Sequence, residues 1–256
     1  MNRIITTLFA LLAIQLLVVN KAYSNDGEVK DCFEKLNRAT FALNMGLDKI
    51  IFKPVSKGYR KLPSPIRTGA SNALNNLSNL ITIPNNILQG DLGSAANNSA
   101  RLIINTTLGI AGIFDPANSL GFEKRDKEDF GQTLGMMGVG EGCYLVLPVL
   151  GPSTIRDTVG SFISMNGGDV WHNITVRDDE EYVKEVKESD YWVSRVTSGV
   201  DFRAKNLEAF DSMEKNSVDL YATVRSLYLQ DRNKKINNSN SKTEAMDDGD
   251  WDTLEN

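Results

Sequence analysis

The amino-acid sequence predicts a mainly α-helical fold. Two stretches of mostly apolar residues recur at alternating intervals of three and four, which is the spacing of one helix face. A third stretch near the C-terminus indicates one long helix or two abutting helices, ending at about Arg232. These three patterns are carried by Phe33, Leu36, Thr40, Leu43, Leu47 and Ile50, by Ile66, Ala70, Ala73, Leu74, Leu77 and Leu80, and by Tyr191, Val196, Val200, Leu207, Phe210, Leu220, Val224 and Leu227.

Particular residues indicate where these helices begin and end. The Ser64 hydroxyl is expected to cap the second helix, with Pro65 as its first residue, where the missing amide proton costs little. Pro84 is expected to end that helix, because proline disrupts a helix interior. Asp91 or Ser94 is then expected to cap a third helix.

The middle of the chain is rich in glycine. Five glycines crowd into residues 131–142, and the apolar run Tyr144–Leu147 follows. Glycines let two helices approach closely, and they equally serve flexible loops and tight turns. The apolar run is too short for periodicity to separate a strand from a buried helix. After it, the Ser153 hydroxyl is expected to cap another helix.

The N-terminus has the three parts of a secretory signal peptide. Arg3 supplies a positive charge, residues 4–19 are almost wholly apolar, and small side chains at 22 and 24 predict cleavage after Ser24. The apolar stretch is shorter than the ~20 residues that span a bilayer comfortably, so a retained anchor is the less favoured alternative. The predicted organisation is a signal peptide at 1–24, one domain at 25–236 and an acidic tail at 237–256, expected to be disordered because it can bury little apolar surface.

The charge balance excludes one class of partner. The chain has 28 basic and 33 acidic residues, and two of the basic residues lie in the predicted signal peptide. A nucleic-acid-binding protein needs a basic face to displace counterions from phosphates. We therefore expect no nucleic acid partner.

The two cysteines, Cys32 and Cys143, allow two interpretations. An oxidising compartment outside the cytoplasm permits a disulfide between them. Two buried free thiols are the interpretation that we favour, because free cysteine packs well as a small apolar residue and the sequence gives no distance between the pair.

The sequence offers no catalytic, cofactor or metal site. His172 is the only histidine, and without the motif of a nucleophilic serine it is expected to be a surface or capping residue. Zinc needs more histidine and cysteine ligands than the chain has. Cys143 stands where the last glycine of a dinucleotide-binding motif belongs. The acidic pairs at 178–181 suit the start of a solvated helix, so we expect no enzyme.

Long motifs resemble one known family. The segment from Glu128 through Gly135 and Pro148 to Asp157, the opening stretch around Phe33 and Asn44, and the closing stretch from Asp219 to Arg232 are similar to the MlaA/VacJ family. The likeness covers nearly the whole chain from Asp31 to about Ile236. Members usually carry a lipidated cysteine at the mature N-terminus, and this sequence has none at the predicted cleavage point. Membrane attachment is therefore expected to depend on amphipathic helices.

The resemblance implies a fold and a function. The fold is a ring-like assembly of amphipathic helices with a central glycine-rich segment, lying at the periplasmic face of the outer membrane. The function is intermembrane phospholipid transport. A passive channel removes mislocalised phospholipids from the outer leaflet, passes them to a soluble periplasmic carrier and so maintains lipid asymmetry. A trimeric porin is an expected partner. The alternative is a structural or adhesion protein of the envelope that transports nothing.

The candidate lipid path is the glycine-rich segment together with the apolar run. Glycine density beside apolar side chains favours this assignment, although the glycines could equally serve close packing. Arg156 is a possible contact for the lipid headgroup, because guanidinium matches phosphate geometry; an ion pair or cap with Asp157 is the favoured role. The candidate lipid-path residues are Gly131, Gly135, Gly138, Gly140, Leu145 and Leu147.

Overall fold

The computed structural model describes residues 29–177 and 187–237. The predicted signal peptide, the acidic pairs at 178–181 and nearly all of the predicted acidic tail lie outside these residues. Within them the chain is mainly helical, which confirms the predicted fold class; the ring-like arrangement stays a prediction. The helices are α1 (Glu34–Leu47), α2 (Lys53–Arg60), α3 (Ser64–Leu88), α4 (Leu92–Thr107), α5 (Pro116–Ser119), α6 (Phe130–Met136), α7 (Ile155–Ile163), α8 (Val170–His172), α9 (Glu188–Lys205), α10 (Leu207–Asn216) and α11 (Leu220–Ile236), with π-helical turns at Asp48–Phe52, Ser164–Gly168 and Asn173–Arg177.

The long helix α3 differs from its prediction at both ends. Pro63 holds the capping position and the Ser64 side chain makes no capping hydrogen bond, so the predicted cap is wrong. Pro84 lies inside the helix, which continues to Leu88. The turn after Pro84 is held by tertiary contacts, since Asn85 accepts a hydrogen bond of 2.6 Å from the Thr133 hydroxyl. Packing of this kind overrides the local preference of proline.

Of the two other predicted helix caps, one is confirmed and one is wrong. Asp91 accepts a hydrogen bond of 2.9 Å from the Ser94 amide and caps α4, which confirms one of the two alternatives. Ser153 does not cap α7, because the Thr154 hydroxyl accepts the Asp157 amide at 3.1 Å instead. Ser153 is the third residue of a strand, which places it one residue too early.

The apolar run Tyr144–Leu147 is a strand. It forms β1 and pairs antiparallel with β2 (Gly151–Thr154), with Tyr144 opposite Thr154. The amide of Tyr144 also donates to the Lys30 carbonyl at 2.9 Å, so the start of the domain lies beside this hairpin. That neighbourhood brings together Cys32 and Cys143, which form a disulfide with a Cα–Cα distance of 5.6 Å. The favoured interpretation of two free thiols is therefore wrong.

The C-terminal apolar pattern forms three helices, α9 to α11, where one or two were predicted. Helix α11 returns to the hairpin and closes a small aromatic cluster. Tyr221 packs edge-on against Tyr144 and Phe41, with ring centroids 6.1 Å and 5.6 Å away. Tyr144, Tyr221 and Val146 form a buried apolar core, and the partly buried Phe41 packs against it.

Helices α6 and α7 cross at two glycines. A Cβ atom added to Gly160 would lie 2.3 Å from the Gly131 amide nitrogen, which is too close for any side chain. The glycines therefore permit the close approach that lets polar side chains on both helices meet α11.

Candidate functional site

The distribution of polar and apolar side chains is inverted relative to a protein surrounded by water. Among the described residues, nine apolar residues are buried against 23 polar or charged ones, while 32 large apolar side chains are exposed. Water-soluble proteins bury mainly apolar residues, and large exposed apolar areas mark contact with a membrane or a partner. The exterior therefore suits hydrocarbon, and the interior suits polar groups.

Helix α3 presents a row of asparagines to a polar cavity of about 800 Å³. The asparagines at 72, 75, 76 and 79 recur at helical spacing, so they share one face. Asn76 is almost fully buried, at 5% exposure, and its amide donates to the Thr106 hydroxyl of α4 at 2.9 Å. Side chains of α2, α4, α9 and the segment 115–127 also line the cavity. The cavity can therefore hold a polar or charged group within an apolar exterior.

Charged side chains of both signs line this cavity, with six basic and four acidic residues. Two of the acidic residues are paired, since Asp115 lies 2.7 Å from Arg101 and Asp201 lies 3.5 Å from Lys205. Burial raises the pKa of Asp115, but hydrogen bonds from Arg101 and Asn105 outweigh burial and bring the pKa below its ordinary value. The exposed segment 123–127 adds three basic residues against two acidic ones, so the lining is net positive.

A second cluster of polar side chains lies where α6, α7 and α11 pack together, a place here called the joint. Arg232 of α11 lies 2.6 Å from Asp129 and 2.8 Å from Asp157. Burial raises the pKa of Asp129, but hydrogen bonds from Arg232 outweigh it and lower the pKa to about 2. Asp157 also lies 3.2 Å from Arg156, which confirms the predicted ion pair. These contacts fix α11 against the glycine crossing.

The structure separates the candidate lipid-path residues into two groups. At Gly131 and Gly135, a Cβ atom would approach Asp157 and Ile236 to within 2.5 Å and 2.8 Å, so these glycines serve close packing. Gly138 and Gly140 are exposed with open space around them. Leu145 and Leu147 are half-buried on the hairpin face opposite Tyr144 and Val146.

Arg156 lies in the interior. Its side chain is 3% exposed and faces Glu141 at 4.0 Å in addition to Asp157. Neither Arg156 nor any of the six lipid-path residues lines the 800 Å³ cavity. The apolar face of α3 does not indicate these cavity residues; the asparagines, which repeat at the same three and four spacing, are the signal in the sequence that marks them.

His172 was expected to be a surface or capping residue; it is buried within α8, whose N-terminus is capped by Asp169 instead. It is 7% exposed, and its ring packs edge-on against Tyr191 at 4.9 Å. Its amide donates to the Asp169 carboxylate at 3.2 Å, at the start of α8. Residues 29–177 and 187–237 contain no group of three or more possible metal ligands. None of the described helices combines the length and apolar character of a membrane-crossing segment.

In the described residues an apolar exterior surrounds a polar cavity, and large exposed apolar areas are typical of proteins that contact a membrane or a partner. The family model of the MlaA lipoprotein matches residues 29–235. The chain belongs to this family.

Three relatives support this assignment. The intermembrane phospholipid transport system lipoprotein MlaA of Haemophilus influenzae is 28% identical over 260 residues, which cover 96% of each chain. The protein of the same name from Escherichia coli K12 is 33% identical, over 78% of this chain and 76% of that protein. An uncharacterized protein of Rickettsia prowazekii is 34% identical, over 82% and 79%.

A solved structure has the same fold. It is described as the structural basis for maintenance of bacterial outer membrane lipid asymmetry, and it matches with a TM-score of 0.67 and 30% sequence identity. The match covers 81% of this chain and 99% of that chain.

Proposed function

We propose that this chain transports phospholipid between membranes as a passive channel at the periplasmic face of the outer membrane. It removes mislocalised phospholipids from the outer leaflet and passes them to a soluble periplasmic carrier, so that lipid asymmetry is maintained. The names of the Haemophilus and Escherichia relatives support the transport role. A trimeric porin is the partner that the family resemblance implies.

The proposal rests on one observation: large apolar side chains lie on the exterior and polar side chains lie in the interior. A phospholipid has a charged headgroup and apolar tails, so its path must offer both kinds of surface. Each apolar side chain moved from water into hydrocarbon contributes roughly 1.5–3 kcal/mol, which favours burial of the exterior in a leaflet. The cavity beside α3 then offers the headgroup polar partners. This transfer breaks no covalent bond, so the protein needs no catalytic residue.

We extend the proposal to the route of the lipid. The headgroup passes through the α3 cavity, and the open surface at Gly138, Gly140, Leu145 and Leu147 borders the tails. Arg156 acts mainly through its ion pair with Asp157 and takes no direct part in this route, since its side chain is buried.

Site-specific crosslinking in cells tests the route. A photoreactive amino acid at Asn79 in the cavity, or at Leu145 on the hairpin, is expected to form phospholipid adducts on illumination. Thr223 of α11 lies on neither surface and serves as a control position. Adducts at Thr223 equal to those at Asn79 and Leu145 would contradict the route.

Deletion of the gene tests the function itself. We expect phospholipid to accumulate in the outer leaflet of the outer membrane, and a plasmid copy of the gene to reverse the accumulation. An unchanged leaflet composition would favour the structural or adhesion protein instead.

A further inference from the structure

Two amide side chains that line the 800 Å³ cavity make no hydrogen bond to any described residue. They belong to Asn75 and Asn79, which are half-buried and one turn apart on α3. The other two asparagines of the row are engaged: Asn72 donates to a backbone carbonyl at 3.2 Å, and Asn76 donates to the Thr106 hydroxyl at 2.9 Å. Because an amide group both donates and accepts hydrogen bonds, Asn75 and Asn79 can bind either kind of group on a molecule in the cavity.

The cavity lining has an excess of positive charge that internal pairing does not remove. Asp115 is paired with Arg101 at 2.7 Å. Asp201 is paired with Lys205 at 3.5 Å. Outside these two pairs, four basic residues remain against two acidic ones, so the excess is two positive charges. A cleft lined by an excess of one sign concentrates ligands of the opposite sign. The remaining residues are Arg67, Lys124, Arg125 and Lys127 against Glu123 and Asp126.

The segment between Glu123 and Glu128, which carries most of this excess, is fixed beside Asn79. At one end, the Glu123 carbonyl accepts a hydrogen bond of 2.8 Å from Asn97 of α4. At the other end, the Glu128 amide donates to the Thr82 hydroxyl of α3 at 3.4 Å. Thr82 lies three residues after Asn79, so the two side chains are neighbours on one face of the helix. The basic residues of the segment are therefore held near Asn79.

We propose that this cavity selects phospholipids with an anionic headgroup that bears hydroxyl groups, as in phosphatidylglycerol, over those with a zwitterionic headgroup. The inference rests on the proposed function, which brings headgroups into the cavity, and it adds the class of lipid. The phosphate of phosphatidylglycerol accepts hydrogen bonds from Lys124 and Arg125. Its glycerol hydroxyls donate to the side-chain oxygens of Asn75 and Asn79. Its net negative charge is attracted by the positive lining.

Zwitterionic headgroups fit the cavity less well for two separable reasons. Phosphatidylethanolamine donates hydrogen bonds through its ammonium group, but that group also cancels the phosphate charge, so the net attraction to the positive lining is lost. Phosphatidylcholine has the same cancellation, and its headgroup has no N–H or O–H to donate to an asparagine oxygen. The expected order of preference is therefore phosphatidylglycerol, then phosphatidylethanolamine, then phosphatidylcholine.

Photocrosslinking of the mature chain in mixed vesicles tests the inference. A photoreactive amino acid at Asn118 lines the cavity and leaves the asparagine row intact. The same amino acid at Ile103, an exposed apolar residue of α4, samples lipid outside the cavity. With equal amounts of phosphatidylglycerol and phosphatidylethanolamine, mass spectrometry of the adducts gives the ratio of the two lipids at each position. We expect the ratio at Asn118 to exceed that at Ile103 by about fivefold, because one unit of headgroup charge near the surface distinguishes the two lipids.

Charge-neutral variants test whether the lining causes the preference. Lys124→Gln combined with Arg125→Gln removes the excess of two positive charges from the lining, so the ratio at Asn118 should fall to that at Ile103. Lys35→Gln combined with Lys215→Gln removes the same charge at exposed positions outside the cavity and should keep the wild-type ratio. All four lysine and arginine side chains are exposed, so both double variants are expected to fold.

The outcomes separate this inference from the proposed function. Equal ratios at Asn118 and Ile103 in the wild type, or equal changes in the two double variants, overturn headgroup selection and leave transport standing. Adducts at neither position overturn both. With phosphatidylcholine in place of phosphatidylethanolamine, the ratio at Asn118 should rise further, and a lower ratio overturns the role of the asparagines. An excess of soluble sn-glycerol 3-phosphate should leave the ratios unchanged; loss of the Asn118 adducts would assign the cavity to a soluble phosphate and overturn lipid selection.

Discussion

At the scale of single residues, Arg232 holds the joint between α6, α7 and α11. Its guanidinium contacts two carboxylates, Asp129, which caps α6, and Asp157 of α7, and its side chain is 9% exposed. Removing one partner of a buried ion pair is costly because the other charges stay buried without compensation.

The first prediction concerns this residue. Arg232→Met is expected to lower the free energy of unfolding by about 3 kcal/mol, because the buried Asp157 carboxylate and the half-exposed Asp129 carboxylate lose a partner. Lys235→Met is the matched control, since it breaks only an exposed pair with Asp231 and should change stability by less than about 1 kcal/mol. Denaturant unfolding in detergent measures both. Equal losses in the two variants would show that the joint does not depend on the pair.

Glu128 makes stability depend on pH. Burial raises the pKa of its carboxyl to about 6, even though Gln89 donates a hydrogen bond to it at 3.0 Å. A folded-state pKa above the unfolded value means that the stabilisation is present below the unfolded value of 4.5 and is lost as the pH rises through about 6.

The second prediction follows from this loss of stability with rising pH. Glu128→Gln keeps an acceptor for Gln89 and cannot ionise, so it is expected to raise the unfolding temperature at pH 7.5 and to change it little at pH 4. Thermal melts of both proteins at the two pH values measure the difference. A gain of the same size at both pH values would instead indicate a packing effect.

At the scale of elements, the disulfide joins the start of the domain to the hairpin. Cys32 and Cys143 are 111 residues apart in sequence. A cross-link over such a distance restricts the unfolded chain strongly. The same junction is also held by Asn37, whose side chain donates to the Tyr144 carbonyl at 3.0 Å and accepts the Val146 amide at 2.9 Å.

The third prediction is that replacing both cysteines by serine lowers stability without abolishing the fold. The expected loss is about 2–5 kcal/mol, from the greater freedom of the unfolded chain, while the Asn37 contacts keep the hairpin in place. Adding reductant to the wild type should lower its unfolding temperature to that of the double variant. If reductant lowers the unfolding temperature of the double variant as much as that of the wild type, loss of the disulfide is not the cause of the change.

The sequence predicted some elements and missed others for identifiable reasons. Helices α1 and α3 follow from periodicity, and Asp91 caps α4 as one of two alternatives, whereas the short helix α2 was not predicted. The continuation of α3 through Pro84 depends on Thr133, which is distant in sequence and could not be predicted locally. The asparagine row was present in the periodic pattern, but only packing shows that it faces a cavity.

At the scale of the whole molecule, periodicity defines two faces of a helix without showing which face is outside. Here the polar faces turn inward and the apolar faces turn outward, and only the packed structure reveals that choice. The chain is acidic overall, with a formal net charge of −5, yet the cavity lining has more basic than acidic residues. A local positive lining within an acidic chain is the arrangement that attracts a phosphate.

The last prediction tests whether that lining governs transport. Lys124→Glu combined with Arg125→Glu makes the lining net negative, and each reversed charge near the surface opposes a phosphate by about 1 kcal/mol or more. Since 1.4 kcal/mol corresponds to a tenfold rate, we expect passage to slow by about tenfold and phospholipid to accumulate in the outer leaflet. Lys35→Glu combined with Lys215→Glu changes the net charge equally at exposed positions outside the cavity and should keep wild-type leaflet composition. If the two double variants accumulate phospholipid alike, net charge and not the cavity lining controls transport.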